Sequence, residues 1–271
     1  MKTKLLLLIL LVSKVLFVNA QMDDKFYFPT KTVKPIDWKN ADNLQFTIES
    51  DTITGVLLKP TEKAKATVFY FHGAGGNISS YAPLLFPLLK DNFQVILIDF
   101  RGYGNSSGTP THKNIAEDGE KAFNELRKRD DIKNTKIIIY GASIGTQIAA
   151  HLAKNHEEEV SGLVLEGAMM SFGDIAAVYD PEYKSFLENI FVSSYSAKED
   201  IKSITKIPKL IIHSKEDKDV PFAHGIKVFT NASEPKEFIE FSGEHLYALK
   251  YESAKILQSI NKMITNKTKR Q

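Results

Sequence analysis

Residues 136–152 read Lys136-Ile137-Ile138-Ile139-Tyr140-Gly141-Ala142-Ser143-Ile144-Gly145-Thr146-Gln147-Ile148-Ala149-Ala150-His151-Leu152. The first five form a short apolar run rich in β-branched side chains, which predicts a strand buried on both faces. After Ser143, the residues Ile144, Ile148, Ala149 and Leu152 return at helical spacing. Gly141-Ala142-Ser143-Ile144-Gly145 is thus a strand-to-helix turn of the pattern G-x-S-x-G, where small residues are needed because backbone and helix crowd the serine. Such a turn lifts its serine above the sheet. A second copy, Gly104-Asn105-Ser106-Ser107-Gly108, lacks these flanks: it follows a loop beyond Asp99 and leads into Pro110. Ser143 is therefore the candidate nucleophile, the structural alternative being a plain helix N-cap.

Outward from that turn the same rhythm repeats. Apolar runs at 67–71, 93–98, 162–165, 209–213 and 237–241 alternate with amphipathic stretches at about 80–90, 114–129, 223–229 and 246–266. This predicts an α/β fold with a mostly parallel central sheet and helices on both faces. Residues 44–58, alternating around Ser50-Asp51, predict two antiparallel strands at the start of the sheet. One interval, 172–207, is long for a single crossover and rich in aromatics (Phe172, Tyr179, Tyr183, Phe186, Phe191, Tyr195). It predicts a small helical cap insertion, leaving from a strand's carboxyl end, where open parallel sheets bind ligands.

A serine hydroxyl is a weak nucleophile and needs a base within reach, oriented by a carboxylate. In the fold that uses this turn, the partners follow in the order serine, acid, histidine. Asp217 lies in the turn after the strand at 209–213, and His245 in Gly243-Glu244-His245 after the strand ending at Phe241. The other histidines fall on a glycine-rich turn (His72), on or after the helix that follows Ser143 (His151, His156), in loops or helix starts (His112, His224) and at a strand end (His213). The tetrahedral intermediate needs two donors on its oxyanion, and the backbone N–H of Ile144 is placed to be one.

With His72-Gly73-Ala74-Gly75-Gly76-Asn77, Asp99 to Gly108, Leu165-Glu166 and His213 to Pro221, the sequence resembles the α/β-hydrolase superfamily over about residues 44–265. The similarity is to its Bem46-like and serine-aminopeptidase-like single-domain serine hydrolases. The family's acid turn, His-Gly-x-x-Asp-x-x-Val-Pro, is matched by His213-Ser214-Lys215-Glu216-Asp217-Lys218-Asp219-Val220-Pro221 except for Ser214. The resemblance implies an acid at Asp217, with Asp219, Glu216 and Glu166 as alternatives, and a second oxyanion donor at Ala74. It also implies no cofactor, no metal, and a small-molecule acyl substrate or short peptide. Carboxylic-ester cleavage through an acyl-enzyme is the leading expectation. Aminopeptidase-type or thioesterase-type hydrolysis uses the same machinery, and a catalytically silent binding module of the same fold is the rival from another class.

The composition is compatible with this reading. The 271 residues are 43% hydrophobic and 25% charged with no Cys, which excludes disulfides, thiolate metal sites and a cysteine nucleophile. A P-loop, an H-E-x-x-H motif and a dinucleotide fingerprint are all missing. The formal charge of +2 includes Lys2, Lys4 and Lys14 of a leader-like segment without acids. Beyond that leader the chain is nearly neutral with few arginines, so neither nucleic acid nor an anionic membrane is an expected partner. The leader itself has a basic start, an apolar stretch at 5–18 and Val18-Asn19-Ala20 before Gln21. This predicts a signal peptide over 1–20 cleaved after Ala20, a secreted or periplasmic protein of residues 21–271, and no stable membrane span after cleavage. The four N-x-S/T sequons, at Asn77, Asn105, Asn231 and Asn266, are no more than chance supplies.

Overall fold

A computed structural model describes residues 25–183 and 195–265. The expected signal peptide at 1–20, Phe186 and Phe191 of the cap interval, and the sequon at Asn266 lie outside the described residues.

The sheet strands are β1 (Ala41–Ile48), β2 (Asp51–Leu58), β3 (Ala66–Phe71), β4 (Phe93–Ile98), β5 (Lys136–Ala142), β6 (Gly162–Glu166), β7 (Lys209–Ser214) and β8 (Lys236–Phe241). They form one sheet in the order β8-β7-β6-β5-β3-β4-β2-β1. Only β2 runs against its neighbours, pairing antiparallel with β1 and with β4. Every pairing from β4 through β3 and β5 to β8 is parallel.

The continuous apolar runs have a direct cause: alternate residues enter two separate cores. On β3 and β5, Phe69, Phe71, Ile137 and Ile139 pack on one face. Val68, Tyr70, Ile138 and Tyr140 pack on the other. Each such side chain, taken fully out of water, contributes about 1.5–3 kcal/mol. The first face is covered by α3 (His112–Leu126), α4 (Gly145–Asn155) and α7 (Phe222–Asn231). The second is covered by α1 (Ile78–Tyr81), α2 (Phe86–Lys90), α8 (Ala248–Tyr251) and α9 (Ser253–Thr265). The stretch read as one segment at 80–90 is split by a 3₁₀ turn at Ala82–Leu85, with Pro83 in that turn and Pro87 in the first turn of α2 each withholding a backbone donor. The stretch at 246–266 also divides: Leu246 has φ +63°, and Glu252 separates α8 from α9.

The cap interval contributes α5 (Phe172–Tyr179), a 3₁₀ turn at Pro181–Tyr183, α6 (Ala197–Asp200) and a second 3₁₀ turn at Ile201–Ser203. It leaves the sheet at the carboxyl end of β6 and returns to the amino end of β7, with Asp200 of α6 paired to His151 and Lys154 of α4 on the way. Among the described residues no helix is long and apolar enough to cross a membrane.

Candidate active site

β5 ends at Ala142 and α4 begins at Gly145, leaving Ser143 between them with φ +52°. That left-handed conformation costs a residue with a β-carbon about 1–2 kcal/mol, so it persists only where the surroundings impose it. Here they do. The Ser143 N–H donates to the carbonyl of Glu166 at 2.8 Å, and the Ser143 carbonyl accepts from Thr146 N at 3.0 Å and Thr146 Oγ1 at 2.5 Å. Gly145 is obligatory for a different reason: a β-carbon there would lie 2.1 Å from the Phe71 carbonyl oxygen. Helix α4 can therefore start tight against β3. Among the described residues Ser143 Oγ has no hydrogen-bond partner in the protein, and Ser143 faces a cavity of about 420 Å³.

The loop after β8 brings His245 to the same cavity. His245 Nδ1 lies 2.6 Å from Asp217 Oδ2. A carboxylate only accepts, so Nδ1 carries the proton and Nε2 is the free basic nitrogen. Asp217 Oδ1 in turn accepts the N–H groups of Asp219 (2.9 Å) and Val220 (2.8 Å). The Asp217 side chain is 1% exposed and that of His245 14%. Burial alone would raise the Asp217 pKa, but the His245 hydrogen bond and charge, with the Val220 N–H, hold it below the usual carboxylate range. Ser214, the departure from the family glycine, donates to the Gly243 carbonyl at 2.5 Å and accepts from Glu216 N at 3.1 Å. It thereby links the acid turn to the histidine loop.

Among the described residues none of the alternatives to Asp217 hydrogen-bonds His245. Asp219 lines the cavity, and its carbonyl accepts from Tyr179 OH at 2.9 Å. Asp217, Asp219 and His245 are close enough together to surround a cation, but the two oxygens of Asp217 and Nδ1 of His245 are already committed to each other and to backbone N–H groups. Glu166 is fully enclosed, with Oε2 accepting from Tyr140 OH at 2.5 Å and Oε1 from Ala248 N at 2.9 Å. Burial pushes its pKa up. Through its carbonyl to Ser143 and its carboxyl to Ala248, Glu166 ties the serine turn to the start of the helix after His245. The Leu165-Glu166 pair marked this position in the sequence, but not this role.

Across the cavity from the acid turn runs the glycine-rich turn after β3. Gly73, Ala74 and Gly75 line the cavity with Ser143 and Ile144. Each carbonyl of the turn has a donor: Gly73 from His72 Nδ1 at 2.7 Å, Ala74 from Tyr103 OH at 2.5 Å and Phe28 N at 2.9 Å, Gly75 from Tyr81 OH at 2.9 Å, Gly76 from Thr30 N at 3.0 Å. His72 is buried and its pKa is lowered to about 4 by that burial, so it is neutral and structural. His213 is likewise buried and lowered, with Nε2 donating to the Val220 carbonyl at 2.9 Å. The cap aromatics divide in use. Phe172 and Tyr195 are packed in the core, while Tyr179 lines the cavity with Ile175.

Residues 66–193 match the family model for the alpha/beta hydrolase fold. The chain is 33% identical over 230 residues to the uncharacterized protein YfhR of Escherichia coli O157:H7, covering 82% of this chain and 80% of that one. It is 29% identical over 167 residues to protein bem46 of Schizosaccharomyces pombe, covering 61% and 56%. Among solved structures, the Pyrococcus furiosus esterase Pf2001 superposes with a TM-score of 0.69 at 17% identity, over 88% of this chain and 98% of that one. With its sheet order, its serine turn and these relatives, the chain belongs to the α/β-hydrolase family, in its Bem46-like group.

Proposed function

We propose that the protein is a serine hydrolase that cleaves a carboxylic ester by acyl transfer to Ser143 and then to water. The observation that carries this reading is that Ser143, in a left-handed turn, shares one cavity with a His245 whose Nδ1–H is held by Asp217. In the first step His245 Nε2 takes the Ser143 proton as Oγ attacks the carbonyl carbon, and returns it to the leaving oxygen as the ester bond breaks. In the second it takes a proton from the water that attacks the acyl carbon, and gives it to Ser143 Oγ as the acyl–Oγ bond breaks and the acid leaves. Asp217 fixes the tautomer and stabilises the imidazolium. The backbone N–H groups of Ile144 and Ala74 receive the oxyanion. Largely apolar walls, including Phe28, Met169, Ile175 and Val220, suit a short or medium acyl chain.

A panel of p-nitrophenyl esters on the purified protein, with a fluorophosphonate as active-site label, tests this. Turnover that survives a chelator, with one label on Ser143, is expected. Absence of both turnover and labelling would leave a binding module of the same fold; activity on aminoacyl or thioester substrates alone would move the bond but keep the machinery. Residues 1–20 serve in this reading as a secretory signal, checked by whether the exported protein begins at Gln21.

A further inference from the structure

Residues 25–32, ahead of β1, show no periodicity and no motif in the sequence, yet Lys25, Phe26 and Phe28 line the cavity. Phe28–Pro29 pairs in parallel with Gly75–Gly76. Farther along, the Thr30 carbonyl accepts from Gly104 N at 3.0 Å and from Asn77 Nδ2 at 2.8 Å, and Asn77 Nδ2 also reaches the Thr32 carbonyl at 2.9 Å. Lys31 Nζ donates to the Ser106 carbonyl at 2.8 Å. The segment is a strap sewn to the turn after β3 on one side and to the loop after β4 on the other. Phe26 and Phe28 both line the cavity, and Phe28 is 60% exposed. A large ring at the lip of an apolar cavity gains burial when an apolar group enters beside it.

We propose that this strap is a specificity element of the site: Phe28 grips an apolar chain of the substrate, while the strap's backbone, with Tyr103, positions the turn that carries the Ala74 N–H. This rests on Ser143 being the nucleophile. The positioning follows from peptide planarity. The Gly73 carbonyl is held by His72, and the Ala74 carbonyl by Phe28 N and Tyr103 OH, so both peptide planes flanking Ala74 are fixed. Its N–H, antiparallel to the Gly73 carbonyl, has a set direction before any substrate arrives.

The test uses the full chain and alkyl fluorophosphonates from ethyl to octyl, reading the second-order rate of Ser143 labelling. The parent rate should rise with chain length. Phe28→Ala keeps the backbone donor and should slow the octyl reagent about fivefold to tenfold, leaving the ethyl reagent within about twofold. Phe28→Leu should recover most of the loss. Tyr103→Phe, lacking the hydroxyl on the Ala74 carbonyl, should slow every reagent by a common factor without changing the chain-length slope. Identical profiles for Phe28→Ala and the parent, or a uniform slowing by Phe28→Ala, would overturn the gripping role. Failure of the parent to label with any reagent would instead sink the reading of Ser143, and this proposal with it.

Discussion

The two copies of G-x-S-x-G in this chain have opposite fates. In Gly104-Asn105-Ser106-Ser107-Gly108, Ser106 is 1% exposed, and its Oγ donates to the Asp99 carbonyl at 3.0 Å and accepts from Thr54 N at 2.9 Å. Ser107 Oγ donates to Asp51 Oδ1 at 2.8 Å and accepts from Thr52 N at 2.9 Å. This copy staples the loop after β4 to the first residues of β2. In the other copy, no protein group among the described residues holds the Ser143 hydroxyl, which is left to the cavity. Their glycines solve a common problem: a β-carbon on Gly104 (φ +48°) would stand 2.1 Å from Asp99 Oδ2, and one on Gly145 2.1 Å from the Phe71 carbonyl oxygen. The pentapeptide thus specifies a close backbone approach. The strand before it and the helix after it decide whether the hydroxyl faces inward or outward.

That contrast breaks if the wrong serine is silenced. Ser143→Ala should abolish ester turnover and fluorophosphonate labelling, a loss of about 10⁴-fold or more in kcat; retained labelling would overturn the site. The next largest effect separates the acids. Asp217→Asn should lower kcat by about 10² to 10⁴-fold, because the amide can no longer hold Nδ1–H without offering its own hydrogens, while Asp219→Asn should stay within about tenfold. Equal losses would show that the two carboxylates act together.

A third prediction probes the loop around Gly104–Gly108 through Asp99. This carboxylate accepts Ile78 N at 2.8 Å on Oδ1, but its Oδ2 is buried with no partner, and burial raises its pKa to about 6. A carboxyl raised in the folded state binds its proton more tightly there than in the unfolded chain. The stabilisation is complete below the ordinary pKa of 3.8 and is lost as pH rises through about 6. Asp99→Asn does not titrate. Its stability relative to the parent should therefore climb by about 1–3 kcal/mol between pH 4 and pH 7 in denaturant unfolding. A constant difference across that range would mean that Asp99 is not strained by its charge. Ser106→Ala should have the smallest effect on chemistry, leaving turnover within about twofold while lowering stability by about 1–2 kcal/mol as Thr54 N loses its acceptor.

The sequence made the sheet and most of the candidate site legible because both leave local signals. Strands buried on two faces read as continuous apolar runs, and the turn at Ser143 carries its strand and helix within a dozen residues. Asp217 and His245 follow strands at the same rim, which is why their order in the sequence marked them as candidates, and the fold joins them by a hydrogen bond. Other features depend on partners far away in sequence. Phe28 becomes a cavity wall only because Gly75–Gly76 lies beside it. Glu166 reads as a possible acid until Tyr140 OH and Ala248 N occupy its carboxyl. Lys209 starts β7, yet its ammonium is buried on the Ile204 carbonyl at 3.0 Å, a placement that charge patterning points away from.

The two rims of the sheet have their own consequence, for self-association. Strand β1 at one edge presents Asp42 paired to Lys59, and β8 at the other presents Glu240 paired to Lys215. A foreign strand docking at either edge would bring its backbone against these ion pairs and strip water from them. An eight-stranded template that could otherwise keep growing, and so seed aggregation, carries charge on both of its edge strands.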